Sequence, residues 1–165
     1  PPSPCGPGFG GAPARARPRR SSSASDSFVL RLERPLRRAL DESRAYALER
    51  KTLGVPIAQH QAIQFMIADM ATKVEASHQM MVKAARLKDS GQRNDLEAGM
   101  AKLFASETAV ENSLEAMRIF GGYSYSVDFD VERYYRDSPL MCIGEGTNEM
   151  QRIIVARQWV KRNPA

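Results

Sequence analysis

The sequence predicts an all-α fold, an antiparallel up-and-down helical bundle behind a disordered N-terminal arm. Three observations carry that reading. Of the 165 residues, 42% are hydrophobic but only 7% aromatic, with eight methionines. That composition suits helices over sheets, where β-branched and aromatic side chains concentrate. From Leu36 onward apolar residues recur at three- and four-residue steps, the period of one helix face. The stretch before Leu36 is rich in Pro, Gly, Ser and Arg and has little to bury. A chain of this length holds one domain with its own core.

Pro1 to about Ser27 cannot offset the entropy of being ordered and is expected to be disordered. It is Arg- and Ser-rich and acid-poor, like a transit peptide. Its prolines, Pro1, Pro2, Pro4, Pro7, Pro13 and Pro18, oppose the amphipathic helix such peptides form. The expected boundary follows Pro35: residues 1–35 form the arm and residues 36–163 the bundle. The first helix reads from Leu36 to Arg50, with Leu36, Leu40, Ala47 and Leu48 as its apolar positions; Gly54 and Pro56 end it. The second runs from about Ala58 to Ser90, with Ile63, Met66, Ile67, Met70, Val74, Met81 and Ala85 as its stripe. Asp69 and Lys73 are spaced there for an i,i+4 pair. After Gly91, Asn94 opens the third helix, with Glu97 in a variant of the capping-box spacing. Its expected buried stripe is Leu96, Met100, Leu103, Phe104, Val110, Leu114 and Met117, and Gly121-Gly122 end it. Tyr123 to Asp130 reads as a loop, Val131 to about Arg136 as a short helical turn, and Pro139 to Gly146 as irregular chain. Thr147 is the expected N-cap of the last helix, with Glu149 in the first turn, where the helix dipole favours an acid. That helix, Asn148 to about Lys161, is expected to turn Met150, Ile153 and Ile154 inward.

Several function classes fall away. The net charge of +5 comes from arginines crowded into the N-terminal part, without interleaved aromatics, which argues against a nucleic-acid partner. Cys5 and Cys142 form no CxxC spacing, and a reduced intracellular setting is expected. His60 and His78 lie apart from any ligand partner, so no metal is expected. No apolar run approaches the roughly 18 residues of a membrane span.

Four blocks remain distinctive. They are Asp41 to Gly54 (DESRAYALERKTLG), Pro56 to Met66 (PIAQHQAIQFM), Arg118 to Tyr123 with Val131 to Asp137 (RIFGGY and VERYYRD), and Ile143 to Arg152 (IGEGTNEMQR). In this order and spacing the chain from about Asp41 to Trp159 resembles the C-terminal helical domain of the flavin-dependent acyl-CoA dehydrogenases, most closely the straight-chain, medium-chain-like members. The resemblance implies that a fatty acyl-CoA thioester loses an α-proton to a carboxylate while its β-hydrogen leaves as hydride to FAD, giving enoyl-CoA in fatty acid β-oxidation. Glu145 stands in the place of the catalytic base. Such a base works best free of an ion-pair partner and shielded from water, where its pKa rises towards neutrality. Gly144 and Gly146 would let the backbone approach the substrate closely, and the Glu145 N–H would hold the thioester oxygen.

By the same resemblance Arg50 and Thr52 reach the FAD of a neighbouring subunit, His60 and Gln61 contact the flavin, and Gly121 and Gly122 admit the partner subunit's cofactor. Arg118 occupies a position often filled by Gln, and Thr147 and Glu149 flank the cofactor contacts after the base. Residue type alone assigns these positions plain structural roles: a surface charge, a helix start, a helix stop, a cap. The implied partners are a fatty acyl-CoA substrate, an electron-transferring flavoprotein and further copies of the chain, as a tetramer in the intact enzyme. The implied compartment is the bacterial cytoplasm or, alternatively, the mitochondrial matrix. Two other readings share these residues: a catalytically silent assembly module, and an acyl-CoA oxidase-like enzyme.

The chain also departs from the pattern. Leu53 stands where Phe is common, and Gly144 replaces a frequent Tyr, which bears on chain-length preference. The N-terminal helical and middle β-domains of an intact member have no counterpart here. Phe28 to Arg38 does not resemble the Gly/Ala-rich start of the family's first helix, and Pro35 is expected to interrupt such a helix. This switch suggests that residues up to about Arg38 are a truncated or out-of-frame reading joined to a genuine family tail, and that the fragment by itself is inactive. Translating the other frames of the upstream DNA tests this.

Overall fold

In the computed structural model, residues 24–164 are described, with side chains from Arg34 onward. The expectations for residues 1–23 lie outside the described residues. Five helices carry the fold: α1 (Ala24–Glu49), α2 (Gln61–Asp89), α3 (Asp95–Phe120), α4 (Val131–Ile143) and α5 (Asn148–Arg162). A two-residue hairpin, β1 (Lys51–Thr52) with β2 (Val55–Pro56), follows α1, and short 3-10 turns cover Ile57–Gln59 and Gly121–Tyr125.

The first helix starts well before the expected Leu36 and runs through Pro35. A proline inside a helix removes one hydrogen bond and crowds the carbonyl four residues back, at about 3 kcal/mol. It need not end the helix when the following turns are anchored. Leu36, Ala39, Ser43 and Ala47 are all buried. Leu48, expected inside, is exposed.

The hairpin turns on Leu53 and Gly54, whose φ values are 53° and 84°. Two successive left-handed residues make the turn type that matches strand twist, which is why Gly54 is required there. The turn folds the chain back, and Ile57 donates its N–H to the Arg50 carbonyl at 2.8 Å.

Helix α2 buries Met70, Val74 and Met81 as expected, joined by Ser77 and Ala84, while Ala85 faces out. Lys73 crosses to Glu111 of α3 at 2.7 Å. Asn94 is the N-cap of α3, but its side chain makes no cap bond; its Nδ2 instead donates to the Ala84 carbonyl at 3.0 Å, fastening α2 to α3.

Helix α3 is the centre of the bundle and packs against the other four helices. Leu96 is buried as expected, but beyond it the buried face differs from the expected stripe. Gly99, Ala101, Lys102, Ala105, Ser106, Ala109, Asn112, Ser113 and Ala116 are buried, whereas Leu114 is exposed and Met100, Leu103, Phe104, Val110 and Met117 are half-buried. A helix packed against four others needs small side chains where its neighbours approach, and the large apolar ones fill the flanks.

Helix α4 replaces the expected short turn and irregular segment. Its Pro139 leaves the Tyr135 carbonyl without a helical donor, and the Ser138 hydroxyl fills that place at 3.0 Å. Helix α5 begins at Thr147, whose Oγ1 accepts from the Met150 N–H at 3.4 Å, so the expected N-cap stands. Its start lies against Ser106 and its end against Glu97, through Arg162 at 2.6 Å, so it runs antiparallel to α3. Met150 and Ile153, expected inside, are exposed because the face that meets α3 carries Asn148, Gln151, Ile154 and Val155. Among the described residues no helix is long and apolar enough to cross a membrane.

Candidate functional site

The end of α1, the hairpin and the end of α3 meet around a cavity of about 580 Å³. Tyr46 and Phe120 form its aromatic wall, stacked with centroids 4.1 Å apart and an interplanar angle of 15°. The hairpin carries Thr52 back to the start of α2, where its Oγ1 lies 2.8 Å from His60 Nε2. The Arg50 guanidinium sits 5.5 Å from the centroid of the Tyr123 ring, a cation–π distance. Gly121 ends α3 with φ 61°, a conformation that favours glycine. A Cβ on Gly121 or Gly122 would meet nothing within 4 Å, so the backbone there faces open space.

Arg50, Thr52, His60, Gly121 and Gly122 therefore share one cavity. A fixed cation, a hydroxyl, an imidazole and uncovered glycine backbone beside aromatic rings fit a group that carries phosphates and a flat ring. Gln61 is exposed at the first position of α2 and does not line this cavity. Arg118 is also outside it, on an exposed face, paired with Glu115 at 2.7 Å.

The second group of predicted residues lies between α4 and α5. Gly144 ends α4, donating its N–H to the Leu140 carbonyl at 2.8 Å. Glu145 follows with φ 54° and Gly146 with φ 91°. A non-glycine residue in the left-handed region costs about 1–2 kcal/mol and persists where the surroundings over-determine it. Glu145 is exposed, so the shielding from water expected of a base is absent among the described residues; with Gly146 it borders a cavity of about 610 Å³ that also includes Gly99, Lys102 and Gln151. Glu149, in the first turn of α5, has its carboxyl held below the usual value, first by its own backbone N–H, then by the Thr147 side chain, against a small opposing effect of burial. Among the described residues no three His, Cys, Asp or Glu side chains cluster closely enough to hold a metal ion.

Of the predicted set, Arg50, Thr52, His60, Gly121 and Gly122 line one cavity and Glu145 and Gly146 the other, while Gln61, Arg118, Gly144, Thr147 and Glu149 line neither. Tyr46, Phe120 and Tyr123 lie within the distinctive blocks, but nothing in their spacing singles them out as a cavity wall. Sequence reading missed Lys102, a cation that is 3% exposed on the buried face of α3. The only signal for it was a lysine flanked by small residues, Gly99 and Ser106, on the same face.

The family model for the acyl-CoA dehydrogenase C-terminal domain matches residues 28–160, so Phe28 to Arg38, expected to be foreign to the family, falls within the match and within the single helix α1. A probable acyl-CoA dehydrogenase of Bacillus subtilis, YngJ, is 52% identical over 123 residues, which cover 74% of this chain and 32% of the relative. The structure of butyryl-CoA dehydrogenase from Megasphaera elsdenii superposes with a TM-score of 0.80 at 33% identity, over 82% of this chain and 36% of the other. The FAD complex of PigA gives a TM-score of 0.78 at 30% identity, over 82% and 36%. The chain spans about a third of the length of the curated relatives it matches. With this match over most of its length and the same helical bundle, the chain belongs to the acyl-CoA dehydrogenase family, as that family's C-terminal domain.

Proposed function

We propose that this domain serves an FAD-dependent acyl-CoA dehydrogenase that converts fatty acyl-CoA to enoyl-CoA, with Glu145 taking the α-proton. The observation that carries the reading is the loop itself: a carboxylate held at a left-handed φ, flanked by Gly144 and Gly146, immediately before a capped helix. Nothing in the fold requires a glutamate in that strained position, so a carboxylate there suits a chemical task.

Bound FAD supplies the acceptor for the β-hydrogen. Glu145 removes the α-proton, and its own backbone N–H steadies the thioester oxygen as negative charge grows there. Gly144 and Gly146 let the substrate pass close to the backbone. Thr147 and Glu149 fix the first turn of the helix behind the base. On the other cavity, Arg50 neutralises phosphate charge, Thr52 and His60 act as a linked polar pair, and Gly121 and Gly122 leave the backbone open. Gln61 and Arg118, which do not line this cavity, would reach the cofactor from exposed positions outside it.

The division of these residues between two cavities supports a homo-oligomer, a tetramer in the intact enzyme, in which one copy's base and another copy's Arg50 side serve the same flavin. The exposed Met150, Ile153, Trp159 and Val160 of α5 supply apolar surface for that packing. An electron-transferring flavoprotein then takes up the electrons.

The test is Glu145→Gln in the full-length, flavin-loaded protein. Turnover of an acyl-CoA falls by roughly 10²–10⁴-fold with flavin content unchanged. Undiminished turnover would remove Glu145 as the base and favour a silent assembly module or a base on another helix.

A further inference from the structure

The strained loop between α4 and α5 needs something to hold it, and the core of α3 supplies a candidate. Lys102 Nζ donates to the Asn148 Oδ1 at 2.6 Å and to the Cys142 carbonyl at 3.3 Å. Cys142 is in the last turn of α4 and Asn148 is the first residue of α5, so a single ammonium ties both ends of the loop that contains Glu145. Ser106, one turn further along α3, donates to the same Asn148 oxygen at 2.9 Å, and the Cys142 thiol donates to the Ser106 carbonyl at 3.6 Å.

We propose that Lys102 is a positioning residue: a buried bracket that holds the Gly144–Thr147 loop closed on α3 and keeps Glu145 at its left-handed φ. An ammonium at 3% exposure is an expensive group to place in a core. Its hydrogen-bond partners are a carbonyl and an amide oxygen rather than a carboxylate. Burial pushes the Lys102 ammonium below its usual pKa, against the opposing influence of Cys142, Glu149 and Glu107. The ends of the loop are held by the helices, the Gly144 N–H on the Leu140 carbonyl at 2.8 Å, but the Glu145 carbonyl is reached from α5 by the Gln151 Nε2 at 3.5 Å. Lys102 has three N–H donors and a long stem, so it can span two acceptors on different helices at once. The consequence for catalysis rests on the reading of Glu145 as the base; the bracket itself does not.

The test uses the full 165-residue chain and nuclear magnetic resonance. Lys102→Met keeps the stem but removes the donors. Asn148→Ala opens the bracket from the other side and is the milder variant, whereas Asn148→Asp keeps an acceptor at that position. In both K102M and N148A, amide exchange at Glu145, Gly146 and Thr147 accelerates roughly tenfold or more. The strong intraresidue HN–Hα Overhauser effect that a positive φ gives Glu145 also weakens. Exchange in α1 and α2 is unchanged, and N148D, which keeps the acceptor for Lys102 but loses the amide donor to Glu107, accelerates loop exchange less than N148A. Unchanged loop exchange in K102M and N148A, or equal acceleration throughout the bundle, overturns the bracket. The two readings part cleanly: loop release in K102M with full turnover in E145Q keeps the bracket and discards the base.

Discussion

At the tip of the hairpin, Leu53 is 94% exposed and holds a φ of 53°. A branched apolar side chain gains nothing from either circumstance. Replacing it with Asn, which tolerates the left-handed region and precedes Gly54 in the preferred turn sequence, stabilises the domain by about 1 kcal/mol, read as a higher denaturant midpoint. Tyr134 offers a second residue-level prediction. Its hydroxyl donates to Glu42 at 2.7 Å, and burial together with that bond pushes its pKa from 10.0 to about 12. The folded state therefore holds this proton more tightly than the unfolded one. The resulting stability is complete below pH 10 and is lost as the pH rises towards 12. Tyr134→Phe lacks this alkaline slope and loses about 1 kcal/mol at neutral pH, measurable by urea unfolding across the pH range. Residue identities at the surface loops were legible in the sequence because glycine and capping residues announce backbone needs. Lys102 was not, because what makes it unusual is burial, and burial is decided by partners far away in the chain.

Among the elements, the helices with two faces were read best. Helix α2 has one side against its neighbours, so its periodic apolar residues point to the core, and Met70 is completely buried. Met70→Ala costs about 3 kcal/mol, measured by thermal or denaturant unfolding. Helix α3 was misread for a physical reason. Hydrophobic size marks the buried side of a helix at a surface, but a helix enclosed by four others is limited by space. At Gly99 even a Cβ would lie 3.1 Å from Val155 Cγ2. Gly99→Leu pushes α5 away and destabilises the domain by about 1–3 kcal/mol; a Leu variant as stable as the parent would show that α5 is not packed there. Proline misled twice, at Pro35 and Pro139, because its local penalty was visible and the anchoring of the next turn was not. At Pro139 the compensation is a hydroxyl on the adjacent residue, Ser138.

For the molecule as a whole, the four sequence blocks located the family and the bundle, while the arrangement of the candidate residues came only with the fold. Both cavities lie open on this domain, so FAD added to the purified chain is expected to leave flavin fluorescence unchanged at micromolar protein; tight binding with reduction by an acyl-CoA would refute that. The two cavities are nonetheless linked by one object. Gly99 and Lys102 border the cavity of Glu145, and Gly121 borders the cavity of Arg50. Between residues 99 and 121 runs unbroken helix, roughly 33 Å long at 1.5 Å per residue. Helix α3 is therefore a ruler. Lengthening it by one residue would move one cavity about 1.5 Å from the other and swing it by about 100°. Insertions and deletions within this segment should be absent from any functional library of the domain.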